Sequence, residues 1–145
     1  MVFGIFGKSD KKIQELIDNK QFDELPTEVI DEIAQDIIIT TETSMQGYRI
    51  TERIEIITAE CVFGMNMFRD YFAGIRDIFG GRSKASQKVL RDSRRVCLTE
   101  LRREALIVGA NAVIGVDLDY NEISGDDKSM LFLVASGTAV TVEKG

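Results

Sequence analysis

The chain contains no histidine and no tryptophan among its 145 residues, and it has only one proline and two cysteines. Without histidine, the sequence lacks the commonest transition-metal ligand and the side chain that titrates near neutral pH without help. Acid–base chemistry would therefore need a carboxylate or a lysine with a strongly shifted pKa. No nucleophile–base pair, phosphate-binding loop, dinucleotide fingerprint or zinc motif is present. The sequence accordingly favours binding or assembly over catalysis.

The rest of the composition indicates the cellular location of the protein and the class of its partners. Cys61 and Cys97 show neither metal-ligand spacing nor a disulfide framework, which favours a reducing, cytoplasmic environment. The longest apolar run, residues 130–135, is far too short to cross a bilayer, and the first ten residues lack the features of a signal peptide. A formal net charge of −6 argues against nucleic acid as the main partner. We therefore expect a cytoplasmic protein with no transmembrane segment and no nucleic-acid partner.

The region before residue 37 is predicted to be an N-terminal helical appendage over residues 1–36. Two short amphipathic segments lie on either side of Pro26, and the first of them carries Ile13, Leu16 and Ile17 on one stripe. Neither segment is long enough to form a stable helix alone. We expect both to dock on the main domain or on a neighbouring subunit. Contact of this region with a membrane is the alternative, and recruitment of a protein partner through residues 1–36 is a further hypothesis.

Residues 37–145 are predicted to form an α+β domain with the order strand, strand, helices, strand, strand. β-branched residues predict a strand over residues 37–41, and alternation predicts a long strand over residues 48–63. A helix is predicted over residues 66–81, and a second one runs from about Ser83 to Gly109. Two further strands follow. The faces predicted to be apolar carry Tyr48, Ile50, Ile54, Ile56 and Val62 on the long strand, Leu90, Cys97, Leu101, Ala105 and Val108 on the second helix, and Ile114, Val116, Leu118 and Tyr120 on the third strand.

The stretch FRDYFAGIRDIFGGRS, residues 68–83, repeats an Arg-Asp couple after seven residues. If the segment is helical, no residue three or four positions away carries the opposite charge to pair with either couple. We expect these charges to pair with another element, another subunit or a ligand, with a solvated face as the alternative. The charges predicted to serve assembly or ligand pairing are Arg69, Asp70, Arg76, Asp77 and Arg82.

Three further positions are candidate sites. Asp117 and Asp119 share one strand face, so their carboxylates could hold one hard cation, form ion pairs with unpaired arginines or face solvent. Cys61 shares a strand face with Ile57, Ala59 and Phe63, and Cys97 lies on the apolar stripe of the second helix, so both are expected to be buried. A ring of identical subunits could still gather one Cys61 thiolate from each chain around a soft metal. Glu60 is a candidate buried carboxylate.

Three segments together, FRDYFAGIRDIFGGRS, LRREALIVGANAVIGVDLDY and MLFLVASGTAV, resemble the YbjQ-like family. Members of this uncharacterised family are often labelled heavy-metal-binding, and the resemblance covers about residues 37–142. It implies an α+β subunit with a curved antiparallel sheet that assembles as a ring-shaped homo-pentamer. The family usually has a small residue such as alanine where this chain has Cys61 and Cys97, so neither cysteine is carried over as a family ligand.

Residues and resemblance together predict a homo-oligomeric binding or scaffold module, with a metal ion or a small anion as the candidate ligand. An adaptor ring that recruits a protein through residues 1–36 is the second hypothesis. An enzyme that uses Glu60, Asp117 or Asp119 with arginines is the least favoured.

Overall fold

The computed structural model describes residues 8–64, 82–125 and 128–145. In chain order the elements are helix α1 (Lys8–Asp18), a short 3-10 turn (Phe22–Glu24), helix α2 (Thr27–Ala34), strand β1 (Ile38–Ile39), strand β2 (Tyr48–Phe63), helix α3 (Arg82–Ile107), strand β3 (Ala112–Gly125) and strand β4 (Lys128–Lys144). The predicted α+β class is confirmed. The predicted helix over residues 66–81 lies outside the described residues.

The four strands form one sheet in the order β1-β3-β4-β2. β4 lies between β2 and β3 and pairs antiparallel with both along most of its length. β1 pairs parallel with the first residues of β3, where Ile38 lies opposite Ala112. The sheet is therefore mixed, because β1 and β3 pair in parallel whereas the other two strand pairs are antiparallel.

Helix α3 covers one face of the sheet and forms the main core with it. Cys97, Leu101 and Ala105 are fully buried, as the sequence predicts. Leu90, however, is 39% exposed, whereas Val89 and Ser93 are buried. The buried stripe thus repeats every fourth residue through Val89, Ser93, Cys97, Leu101 and Ala105, and Ser93 satisfies its hydroxyl by donating to the Val89 carbonyl at 2.6 Å.

Backbone irregularities divide two of the predicted strand faces between the two sides of the sheet. Register shifts lie between Ile50 and Glu52 and between Arg53 and Glu55, so the even-numbered residues of β2 do not stay on one buried face. After the shifts Ile56 is 78% exposed and Ile57 is buried. In β3 a bulge lies between Ile114 and Asp117, and Gly115 adopts φ +61° within it. A bulge changes the direction of the following side chains.

The face of the sheet opposite α3 carries a second, smaller core at one end. Its buried members come from β3 and β4, namely Ala112, Ile114, Val140 and Val142. Met45, Tyr48 and Ile50 pack against it from the preceding connection and the start of β2. The rest of this outer face has no such cover among the described residues, and Val62 there is 49% exposed.

The described part of the N-terminal region docks on its own chain. Ile30 and Ile33 of α2 pack against the main core, and Ala34 is buried within it. Pro26 immediately precedes α2, consistent with the start predicted from the sequence. Across the ranges that the structure describes, no helix is both long and apolar enough to traverse a bilayer.

Candidate functional site

A groove of about 360 Å³ runs along β2, between its last residues and the exposed side of α3. Its walls come from two elements only, Thr58, Ala59, Glu60, Cys61, Val62 and Phe63 on β2 and Val96, Glu100 and Glu104 on α3. Because consecutive β2 residues line it, the groove follows the outer edge of the strand rather than one of its faces. The three carboxylates give it a negative rim.

One cysteine lines the groove and a second is buried in the adjacent core. Cys61 lines the groove and is 9% exposed, whereas Cys97 is fully buried. The Cys97 thiol donates to the Ala59 carbonyl at 3.4 Å and to the Leu133 carbonyl at 3.7 Å. Leu133 is the cross-strand partner of Cys61, so the two thiols lie close together. The burial predicted for both cysteines is confirmed, and both are free thiols.

The surroundings of Cys61 strongly favour its protonated form. Burial raises the pKa of the Cys61 thiol to about 12, with the hydrogen bond to Cys97 as the next cause. Neighbouring Cys97, Glu100 and Glu60 act electrostatically in the same direction, in that order. At neutral pH the Cys61 thiol is therefore protonated and a poor nucleophile, since the thiolate is the reactive form.

An ion-pair cluster links the groove to the N-terminal helices. Arg103 on α3 donates to both carboxylate oxygens of Asp31 on α2, from Nε at 2.5 Å and from Nη2 at 2.9 Å. Its Nη1 also donates to Glu100, which lines the groove. The hydrogen bond to Asp31 is the main cause that raises the pKa of Arg103. Beside it, Arg102 Nε donates to the Ile37 carbonyl at 3.3 Å.

The outer face of the sheet carries the carboxylates that the sequence singled out. Asp119 and Glu60 lie on either side of Val134, across β3, β4 and β2, and Asp117 lies opposite Ser136. All three carboxylates are exposed. The expectation of a buried carboxylate at Glu60 is wrong for this chain, because the burial alternation of β2 places odd-numbered residues under α3. Glu60 instead accepts a hydrogen bond from Thr58 Oγ1 at 2.9 Å.

The repeated Arg-Asp couples fall on residues that the structure does not describe. Arg69, Asp70, Arg76 and Asp77 lie outside the described ranges, and Arg82 begins α3 with its side chain outside them. Their proposed role in assembly stays a prediction.

Sequence reasoning missed the proximity of the two cysteines and the ion pair of Arg103 with Asp31. A usable signal existed for the cysteines. The sequence predicts Cys61 and Ala59 on a buried strand face and Cys97 on the buried stripe of a helix. These are the surfaces through which a helix packs on a sheet. The ion pair has no such signal, since many charges on α3 were equally available.

Three comparisons with known proteins found similar families, sequences and folds. Residues 37–143 match the family model YbjQ, described as "Putative heavy-metal-binding". The chain is 48% identical over 106 residues to a UPF0145 protein of Pasteurella multocida, covering 73% of this chain and 99% of that protein. It also resembles the crystal structure of a protein of unknown function from Pediococcus pentosaceus, assigned to the DUF74 family, with a TM-score of 0.52 at 14% identity. That match covers 74% of this chain and 98% of the other and concerns the fold alone.

The description of the matching family model raises the question of whether these residues suit a heavy metal. Within the described ranges, no group of three or more His, Cys, Asp or Glu side chains is placed to hold a metal ion. Sites of the zinc type, which need three or four protein ligands, therefore do not fit. Cys61 and Cys97 supply two sulfur ligands, which fits a soft cation that two thiolates can satisfy. Cys61 points into the core of its own chain, toward Cys97.

Proposed function

The chain belongs to the YbjQ family, and we propose that it works as a homo-oligomeric binding module whose subunits join edge to edge through their sheets. The observation that carries this proposal is a pair of open strand edges at the same end of the sheet. Five copies form the ring, the number that the family resemblance implies, and the module acts in the cytoplasm, as the cysteine usage favours.

The first open edge is the second half of β2. Residues 49–55 carry two register shifts and several exposed charges, devices that protect an edge strand from pairing with another chain. Residues 56–63 pair with β4 in an unbroken register and lack these protections. Exposed apolar side chains accompany this half, with Ile56 78% and Val62 49% exposed. A regular apolar edge of this kind is suited to accept another strand.

The second open edge is the far half of β3. β1 covers this edge only at Ala112 and Val113. The connection after β1 extends the cover a little, because the Gly115 amide donates to the Glu42 carbonyl and the Val116 amide to the Thr40 carbonyl. From residue 117 to residue 125 no described strand lies beside this edge.

The two edges lie level with each other. Thr58 and Asp117 both lie opposite Ser136 of β4, and Phe63 and Glu122 both lie opposite Leu131. Among the described residues, this end of the sheet is thus a three-stranded ribbon with no further strand on either side. Pairing the β2 edge of one copy with the β3 edge of the next is a heterologous contact, and such contacts close into a ring when the rotation is suitable. Closure removes every open edge.

The groove beside β2 supplies the binding part of the proposal. Its carboxylates, Glu60, Glu100 and Glu104, favour a cation over an anion as ligand. Recruitment of a partner protein through residues 1–36 is the second candidate. α2 is occupied by its contacts with α3, so that candidate depends on α1, whose stripe of Ile13, Leu16 and Ile17 is half-buried.

Native mass spectrometry of variants tests the assembly. Lysine at both Ile56 and Val62 places two charges beside the open β2 edge without touching the buried face. We expect the wild-type protein to be a five-subunit ring and the Ile56→Lys/Val62→Lys variant to be mainly monomeric. Ile107→Lys is the matched control, since Ile107 is a 40% exposed apolar residue on α3 away from both edges. A monomeric wild-type protein, or a double variant that assembles like the control, would refute the proposal.

A further inference from the structure

We propose that Cys61 and Cys97 form a binding site for one soft dication with a filled d shell that accepts two thiolate ligands in a line, the chemistry of Hg²⁺. The inference goes beyond the proposed assembly, because both thiols belong to a single chain.

The donor set selects the coordination number. The two thiols lie close together where α3 packs on β2, because Cys97 donates to the carbonyl of Leu133, the cross-strand partner of Cys61. Cys97 has the Ala59 and Leu133 carbonyls as its other polar neighbours. No third His, Cys, Asp or Glu completes a metal site within the described residues. Zn²⁺ in closed protein sites takes four ligands, and Ca²⁺ takes six to eight oxygens, so neither suits this pair.

The charge balance selects a dication over a monocation. In the reaction, each thiol forms one bond from sulfur to the metal and releases its proton to solvent, so two protons leave for each Hg²⁺ bound. The product is an uncharged bis-thiolate. A monovalent ion such as Ag⁺ would leave one net negative charge in the core, near the Glu60 and Glu100 carboxylates. A buried charge without a partner is costly, so the monovalent ion should bind more weakly.

The groove gives the cation a route to the thiols. Cys61 lines the groove and is 9% exposed, whereas Cys97 beside it is fully buried. The rim carboxylates of Glu60, Glu100 and Glu104 surround the entrance. A cleft lined by one sign of charge raises the local concentration of the opposite ion. The rim carboxylates therefore attract the cation to the groove, and the two thiols bind it.

Titration of the reduced, full-length protein with mercuric chloride tests the site. We expect one mercury per chain by native mass spectrometry, two protons released per mercury by a pH indicator, and a near-ultraviolet charge-transfer band. In competition with glutathione, wild type should hold mercury on the order of a hundredfold more tightly than Cys61→Ala or Cys97→Ala, because the second thiol binds intramolecularly. Ag⁺ should be held less tightly, and Zn²⁺ should not be retained.

Several results would overturn the site. These are two mercury ions per chain, one mercury shared between two chains, or single-cysteine variants that hold mercury as tightly as wild type. Both alanine variants are expected to fold, because each removes only one sulfur atom from the core, and circular dichroism checks this. The single Ile56→Lys variant, at a residue outside the groove lining, separates the two proposals. Its stoichiometry should match wild type whether or not wild type assembles, because the site lies within one chain.

Discussion

Raising the pH above about 9 is expected to destabilise the protein through Cys61. The thiol has an ordinary pKa of 9.0, which burial, the hydrogen bond to Cys97 and nearby negative charges raise to about 12 in the folded chain. The unfolded chain therefore loses this proton first as the pH rises. Because the folded state binds the proton more tightly, stability falls with increasing pH between these two values and is fully present below about pH 9.

The size of the effect follows from the shift. One pKa unit corresponds to about 1.4 kcal/mol of differential interaction. Near the unfolded pKa the full slope is not yet reached, so the step from about pH 9 to about pH 10 should remove about 1 kcal/mol of the free energy of unfolding through this one thiol. That loss is measurable, since small domains have total stabilities of about 5–15 kcal/mol.

Urea denaturation of wild type and Cys61→Ala measures the effect, at about pH 8, 9 and 10, in reductant and at one protein concentration. Lysine and tyrosine residues also titrate in this range, but they do so in both proteins and cancel in the difference. The variant lacks the thiol, so the difference in unfolding free energy between the two proteins should shift by about 1 kcal/mol in its favour from pH 9 to pH 10. A difference that stays constant across the three pH values would show that Cys61 is not held protonated by its surroundings.

Two further substitutions test the packing around the site. Gly137→Ala should lower the free energy of unfolding by about 1–3 kcal/mol, because the added Cβ would lie 2.5 Å from Val113 Cγ1; Gly64→Ala, with nothing within 4 Å, is the control, and equal melting temperatures would contradict the packing. Asp31→Asn should lower the free energy of unfolding by about 1 kcal/mol, because it removes a half-buried bidentate interaction. The loss of an exposed ion pair would lower it by less. A double-mutant cycle with Arg103→Met should show the coupling, and purely additive losses would argue against it.

The sequence predicts the order of the elements because each carries its own local period. The long strand and the α3 helix were both recognisable from side-chain spacing alone, and so was the burial of Cys61 and Cys97. The faces of the strands were harder to predict. Ile56 belongs to the apolar period of β2 and is nonetheless 78% exposed, because two register shifts against β4 change which residues face α3. Such shifts depend on the pairing of strands that are far apart in the sequence.

The candidate site depends on the same long-range information. Each half of the groove is ordinary when read alone, an alternating strand and an amphipathic helix with surface carboxylates. Only the packing of α3 against β2 brings Glu100 and Glu104 beside Glu60 and places the two thiols close together. The two arginines on α3 illustrate the limit of prediction, since both were visible as surface charges. Nothing in their spacing indicates that Arg103 binds Asp31 while Arg102 binds the Ile37 carbonyl.

Assembly and cation binding share one edge of the molecule, and this has a consequence that neither proposal has alone. The groove is lined by residues 58–63, which form the open edge of β2. A neighbouring strand on that edge would cover the entrance to Cys61 while leaving both thiols in place. Cation uptake should then be slower in the ring than in the dissociated variant, with the same final stoichiometry. If the bound cation also changes the affinity between subunits, linkage requires that assembly change the affinity for the cation by the same factor. Measuring mercury affinity in both forms therefore reports on the interface, and a difference would make the thiol pair a sensor of assembly as well as a metal site.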